Sequence, residues 1–102
     1  MSALIHAAQQ QGGVGTVLHK GDDQRGSILL QVTSRGCHHV FLDRALQPNG
    51  TYKWEICGPS GGEPERVTQY LVRRRGNDPD CWILELDIPA AERFIAETIS
   101  GG

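Results

Sequence analysis

The chain has 102 residues, a net charge of −2, and 22% charged against 38% hydrophobic side chains. This length suits a single domain (residues 1–102) with one modest core, and the composition excludes a disordered chain. The slight negative charge argues against nucleic acid as a partner. No apolar run approaches the roughly 20 residues of a membrane-spanning helix, so we expect no membrane partner either.

A short helix is predicted at the start of the chain, over residues 2–11, where apolar side chains recur at helical spacing. Gly12 and Gly13 end it, because glycine accepts the left-handed conformation of a helix C-terminus.

Four segments that alternate apolar and polar residues follow and are predicted as strands. They lie at residues 14–20, 27–33, 37–43 and 51–57. The connectors between them are short, polar and rich in glycine, which favours antiparallel neighbours. We therefore expect an antiparallel meander of four strands.

The C-terminal part is predicted to contain a helix, a fifth strand and a last helix. The second helix begins at Pro64 and ends at Gly76, and the fifth strand covers residues 81–87. Asp87 is expected to cap the last helix, which begins at Pro89. The order α-β-β-β-β-α-β-α predicts an α+β domain whose helices pack on one face of the sheet.

The alternation also predicts which side chains form the interior. Leu30, Leu42, Trp54 and Leu84 occupy the apolar positions of their strands and are expected to meet in one core.

Three stretches of the sequence resemble a known family. They are the opening segment from Ser2 to Leu18, the segment from Gly21 to Leu30, and the segment Tyr70-Leu71-Val72-Arg73-Arg74-Arg75 followed by Asp78-Pro79-Asp80-Cys81-Trp82 and the rest of the fifth strand. Together they look like the small bacterial proteins called domain of unknown function 1491, over nearly the whole chain. Cys81 stands where that family more usually has an aliphatic residue, and Asn77 where an aromatic residue or arginine is common. The resemblance implies a fold and no activity.

Cys37-His38-His39 is the segment of the sequence that most resembles a metal or nucleophile site. Neighbouring strand residues point to opposite faces, so a metal site would need Cys37 and His39 on one face with further ligands from elsewhere. We expect no metal, no cofactor and no catalytic residue. The three cysteines lack a Cys-x-x-Cys pair and are interpreted as small buried hydrophobic residues.

Arg73, Arg74 and Arg75, with Asp78 and Asp80, are the candidate ligand-binding residues. Guanidinium groups suit phosphate and carboxylate ligands, but cations at a helix C-terminus also stabilise the helix itself. Asp78 and Asp80 could instead form a local ion-pair network with Arg74 or Arg75.

The sequence contains no export signal, which predicts a cytoplasmic protein with reduced thiols. The most favoured function is a small non-enzymatic binding or accessory domain that contacts a protein partner, or a second copy of itself, through the sheet or its edge. The alternative is a small enzyme or anionic-ligand-binding protein whose site lies between the second helix and the sheet.

Overall fold

A computed structural model of the chain describes residues 2–10, 12–22 and 27–101. All eight predicted elements occur, in the predicted order. They are α1 (Ser2–Gln10), β1 (Val14–His19), β2 (Ile28–Ser34), β3 (Cys37–Leu46), β4 (Tyr52–Cys57), α2 (Pro64–Asn77), β5 (Trp82–Asp87) and α3 (Ala91–Gly101). Gln11, the predicted last residue of α1, lies outside the described residues, as do residues 23–26 of the predicted connector.

The five strands form one mixed sheet with the order β1-β5-β2-β3-β4. Strands β2, β3 and β4 form an antiparallel meander as predicted, but β1 does not join it. Instead β5 lies between β1 and β2, antiparallel to β1 and parallel to β2. The prediction of a four-stranded meander was therefore wrong at β1.

The apolar content of β2 and β5 explains this arrangement. Leu29, Leu30, Ile83 and Leu84 are all at most 1% exposed, although adjacent strand residues point to opposite faces. Strands that are apolar on both sides are stable only in the centre of a sheet with both faces covered. The pair β2 and β5 therefore takes the middle, and β1 and β4 become the edges.

Helices cover both faces of the sheet, which corrects the prediction that they pack on one. Ala8 of α1 and Phe94 of α3 belong to one hydrophobic cluster, together with Leu30, Leu42 and Leu84 of the sheet. Trp54 packs against the same cluster, so the predicted common interior is confirmed.

The opposite face carries a second, smaller hydrophobic cluster. Val67 of α2 packs there on Leu29, Phe41 and Ile83. The domain thus has three layers, with α1 and α3 on one side of the sheet and α2 on the other.

A bulge in β3 decides which way its histidines point. Val32 pairs with Val40, but the next residue of β2, Thr33, pairs with His38, so His39 is an extra residue. The backbone carbonyl of His39 accepts a hydrogen bond of 2.7 Å from the Gly61 N–H. Because of this extra residue, His38 lies on the same side of the sheet as Thr33, which is the side that α2 covers.

The Asp87 side chain does not cap α3, contrary to the prediction. Its two carboxylate oxygens accept hydrogen bonds from the backbone N–H groups of Arg35 and Gly36, at 2.9 and 3.1 Å. Arg35 has a φ of 54°, a strained conformation for a residue with a Cβ, and the carboxylate stabilises that turn. Helix α3 begins later than predicted, at Ala91.

No helix among the described residues combines the length and apolar character needed to cross a lipid bilayer.

Candidate functional site

Helix α2 covers only part of its face of the sheet. It packs over Leu29, Phe41 and Ile83 and leaves the neighbouring part of β2 and β5 open. The open part is a groove of about 500 Å³ between the N-terminal half of α2 and the strands. We call it the α2 groove.

The floor of the α2 groove is polar, although it lies at the centre of the sheet. Gln31 and Thr33 of β2 line it together with Glu85 of β5. Gln31 and Glu85 are direct partners in the parallel register. The alternation of β2 puts residues 31 and 33 on the same face as Leu29, so β2 changes from apolar to polar on this face.

Two of these floor residues are almost completely buried. Gln31 is 6% exposed and Thr33 is 2% exposed. The Thr33 hydroxyl oxygen has no hydrogen-bond partner in the part of the chain that the structure describes. Because most buried polar groups in proteins are hydrogen-bonded, and an unpaired hydroxyl costs roughly 1–3 kcal/mol, Thr33 marks a place where a partner is missing.

His38 forms one wall of the α2 groove and is held by hydrogen bonds at both ring nitrogens. Its Nε2 donates to the Pro59 carbonyl at 2.8 Å, which leaves Nδ1 as the acceptor for the Gln31 side-chain N–H at 3.3 Å. The ring also lies against Phe41, with 4.6 Å between ring centroids. His38 is therefore fixed in place and orients the Gln31 amide.

Glu85 brings a carboxylate to the floor. Its side chain is half-buried, and among the described residues it forms neither an ion pair nor a hydrogen bond. The remaining lining is mostly apolar and includes Leu18 of β1 with Val67 and Leu71 of α2. The groove therefore combines hydrogen-bonding groups at its base with apolar walls.

The predicted ligand-binding residues lie elsewhere, at the C-terminal end of α2, and the structure separates them. Arg74 is half-buried and its Nη2 contacts the Asp43 carboxylate of β3 at 3.1 Å. Asp78 accepts a 2.6 Å hydrogen bond from the Ser27 hydroxyl, which lies 3.3 Å from Arg74. These contacts tie α2 to the strands, and the carboxylate partner of Arg74 is Asp43 rather than Asp78 or Asp80.

The charge of Arg74 is secured by this arrangement. Burial alone would lower the pKa of the guanidinium, but the hydrogen bond and charge of Asp43 outweigh it and raise the pKa above its ordinary value. The Arg74 guanidinium therefore stays charged and contributes to structure through its contact with Asp43.

The other predicted residues at this end are exposed. Arg75 and Asp80 point to solvent, while Arg73 lines a recess of about 130 Å³ with Arg66 and Tyr70. This recess is a second candidate site, separate from the α2 groove.

Tyr70 and Cys57 form a contact beneath α2. The Tyr70 hydroxyl donates a 3.2 Å hydrogen bond to the Cys57 sulfur. Burial is the main reason that the pKa of Tyr70 rises to about 12, and the neighbouring Cys57 adds to it. Burial likewise raises the pKa of the Cys57 thiol above 9.0, and the Tyr70 hydrogen bond offsets only part of that rise. Both groups remain protonated near neutral pH.

The Cys37-His38-His39 segment is divided between two faces. The bulge places Cys37 and His38, rather than Cys37 and His39, around the α2 groove. His39 lines a different cavity, beside Glu92 and Arg93 at the start of α3. Within the described ranges, no three or more His, Cys, Asp and Glu side chains come close enough to hold a metal ion.

The environments of the cysteines differ more than the sequence predicts. Cys81 is fully buried, as expected, but Cys57 is half-buried and Cys37 is exposed. Cys37 is the first residue of β3, directly after the tight turn that joins β2 to β3.

The floor of the α2 groove does not follow from the alternation alone. In a period of two, Gln31, Thr33 and Glu85 occupy the polar positions of their strands. The signal that could have found them is their position inside segments with apolar residues on both faces, Ile28-Leu29-Leu30-Gln31-Val32-Thr33 and Trp82-Ile83-Leu84-Glu85-Leu86. Polar residues within such central strands are candidates for a buried polar site.

Fold and groove together define a three-layer α+β domain with an open, polar-floored groove on one face of a mixed sheet. The chain belongs to the DUF1491 family, described as proteins of unknown function, whose sequence profile matches residues 1–96. This confirms the resemblance seen in the sequence.

Solved structures of relatives share the fold. The chain is similar to a DUF1491 family protein from Caulobacter crescentus, at 29% identity. The crystal structure of that protein gives a TM-score of 0.74 over 86% of this chain and 82% of that one. Its NMR structure gives a TM-score of 0.75 over 88% and 82%. A solution structure of a protein from A. tumefaciens is 27% identical and covers 84% of this chain and 79% of that one, with a TM-score of 0.72. No curated protein matches the chain.

Proposed function

We propose that the protein is a small non-enzymatic binding domain that engages a protein partner through the α2 groove. The observation that carries this proposal is the buried Thr33 hydroxyl, which has no hydrogen-bond partner among the described residues although Thr33 lines an open groove of about 500 Å³. Folding tolerates such a group where binding supplies the missing contact. Apolar walls around a few fixed polar groups are typical of binding sites.

The chemistry around the cysteines supports binding rather than catalysis. A Cys37 nucleophile would need a nearby base, but both ring nitrogens of His38 are already hydrogen-bonded, to Gln31 and to the Pro59 carbonyl. The raised pKa of Cys57 disfavours its thiolate, which is the reactive form.

A cytoplasmic location is part of the same proposal. Cys37, Cys57 and Cys81 are all free thiols, and an exposed thiol such as that of Cys37 stays reduced in the cytosol.

Affinity capture with groove-blocking variants tests this proposal. Thr68 is exposed on α2 at the rim of the groove, so Thr68→Trp should block entry without disturbing the core. Gln69→Trp is the matched control, since Gln69 is also exposed on α2 but lines the Arg73 recess. The proposal predicts a partner, identified by mass spectrometry, that is retained by the wild type and Gln69→Trp and lost by Thr68→Trp. Retention by all three proteins would contradict it.

The partner that binds in the α2 groove could be a second copy of this chain instead of a different protein, and this possibility needs its own measurement. Light scattering that shows a monomer at high concentration excludes self-association.

A second candidate function is the binding of an anionic ligand near Arg73. One observation favours it: Arg66 and Arg73, two turns apart on α2, line the same recess together with Gln69 and Tyr70. Titration with inorganic phosphate, followed by the amide chemical shifts of α2, tests it. Shifts at residues 66–73 that disappear in Arg73→Gln would support an anion site, and unchanged spectra would reject it.

A further inference from the structure

The carboxylate of Glu85, which has no partner among the described residues, gives the α2 groove a negative charge. Glu85 is half-buried on a central strand, and no lysine or arginine is among the described residues that line the groove. Removing a carboxylate from water is costly unless a cation or hydrogen-bond donors replace the water. A positively charged group in the groove would supply that compensation.

The positive helix N-terminus at the rim of the groove does not cancel the negative charge of Glu85. Helix α2 begins at its rim with Pro64, and a helix N-terminus carries a partial positive charge of roughly half a unit. Glu63 at the N-cap and Glu65 in the first turn lie beside that end and offset its charge. The full negative charge of Glu85 therefore dominates inside the groove.

The polar floor offers hydrogen-bond acceptors beside the carboxylate. The Gln31 nitrogen is engaged by His38, and its carbonyl oxygen has no partner within the described ranges. The Thr33 hydroxyl is also unpartnered there, and a change of side-chain rotamer exchanges the positions of its hydroxyl and methyl groups. Glu85, Gln31 and Thr33 thus provide three acceptors on two adjacent strands, which matches the three N–H donors of an ammonium group.

The apolar walls of the groove suit the aliphatic part of a ligand that ends in an ammonium group. Leu18, Val67 and Leu71 are apolar and face the groove above the polar floor. A lysine side chain has this pattern, with four methylene groups that pack on apolar surface and a charged end that seeks acceptors. Arginine is less suitable, because its planar guanidinium favours two oxygens of one carboxylate over three separate side chains.

We propose that the α2 groove binds a lysine side chain of the partner protein, with the ammonium group paired to Glu85. This inference rests on the proposed binding function and adds the chemical group that is recognised. The same alkylammonium chemistry occurs in free amines, so the test includes both sources.

Amide chemical shifts during titration with small probes test the charge preference. The probes are n-butylammonium, the neutral n-butanol and the anionic butyrate, which share an apolar chain, and a short peptide with one central lysine. Butylammonium and the peptide should shift the amides of residues 31–33 and 84–86, with the peptide binding more tightly, while butanol and butyrate bind more weakly. Equal binding of butanol, or equal binding of free butylammonium and the peptide, would overturn the lysine assignment.

Two variants make the test specific to Glu85. Glu85→Gln should weaken binding of the lysine peptide about fivefold, since it replaces a charge-assisted contact by a neutral one. Glu55→Gln is the matched control, because it makes the same change of net charge at an exposed position on the edge strand β4 and should leave the affinity unchanged. Equal effects of the two variants would overturn the inference.

Capture from lysate with the same variants separates the inference from the proposed function. Loss of the partner in Thr68→Trp and reduced capture in Glu85→Gln, with full retention in Glu55→Gln, supports both statements. Loss in Thr68→Trp with full retention in Glu85→Gln leaves the groove as the binding site and overturns lysine recognition. Retention in every variant overturns the proposed function itself.

Discussion

Gln31 and Glu85 are register partners in the parallel pair of strands at the centre of the sheet, and both side chains line the same groove. These two polar residues lie side by side on a face whose other buried side chains are mostly apolar, among them Leu29, Phe41 and Ile83. On the opposite face of the same two strands, Leu30 and Leu84 are fully buried under helices. One face of the β2–β5 pair is therefore fully packed under α1 and α3, and the other face is only partly covered by α2.

Replacement of Thr33 by valine should stabilise the protein in the absence of a ligand. Valine keeps the branched shape and removes the buried hydroxyl, which has no partner in the described part of the chain. We expect the free energy of unfolding to rise by about 1 kcal/mol, measured by urea denaturation. Thr68→Val at the exposed rim is the control and should change it by less than about 0.5 kcal/mol. A clear loss of stability in Thr33→Val would show that the hydroxyl has a partner.

Replacement of Arg74 by alanine should destabilise the attachment of α2 to the sheet. The Arg74 side chain is 17% exposed and the Asp43 side chain 34%, so their contact is only partly screened by water. We expect the free energy of unfolding to fall by about 1–3 kcal/mol, because Asp43 loses a charge-assisted hydrogen bond. Arg75→Ala changes the exposed neighbouring residue, and its free energy of unfolding should stay within about 0.5 kcal/mol of that of the wild type. Equal effects of the two substitutions would remove the structural role assigned to Arg74.

Stability should depend on Tyr70 at alkaline pH. The pKa of Tyr70 rises from 10.0 to about 12 on folding, mainly through burial. A raised pKa in the folded state means that the stabilising contribution is complete below pH 10 and is lost as the pH approaches about 12. The stability gap between the wild type and Tyr70→Phe should therefore shrink over this interval in denaturation experiments. A gap that stays constant or widens would contradict the assignment.

The three cysteines should react with a thiol reagent in a fixed order. Cys37 is exposed and should react first, whereas Cys57 is half-buried and its pKa is raised above 9.0 by burial. Cys81 is 0% exposed and should react only when the protein unfolds. Mass spectrometry of digested, labelled protein gives the order, and Cys37→Ser should remove the fast phase. Early labelling of Cys81 would contradict its burial in the cluster beneath α2.

The sequence was sufficient for the elements and for the main core, but not for the strand order. Alternation correctly identifies Leu30, Leu42, Trp54 and Leu84 as interior residues, because one covered face leaves a period of two. Alternation does not reveal which strands are neighbours, since the place of a strand in the sheet also depends on whether both of its faces are apolar. By alternation Ile83 falls on the side of β5 that carries Glu85 and Asp87, yet it is 1% exposed beneath α2.

The candidate site was less predictable than the fold. The run of three arginines at residues 73–75 predicts a ligand-binding site. Arg74, however, donates a hydrogen bond to Asp43, which lies 31 positions earlier in the chain. Conversely, Gln31 and Thr33 look like ordinary solvent-facing strand residues. Their burial depends on how far α2 extends across the sheet and on the bulge at His39, neither of which follows from local sequence.

Site-specific photo-crosslinking tests the central claim, that the α2 groove is the binding surface, most directly. A small aliphatic diazirine side chain, much less bulky than the tryptophan that blocks the groove, would be placed at Thr68 on the groove rim, at Gln69 beside the Arg73 recess, or at Ile56 on the exposed edge strand β4. Illumination of each protein with the captured partner should give a covalent adduct from position 68 and none from positions 69 and 56. An adduct that forms from Gln69 or Ile56 and not from Thr68 would contradict the account.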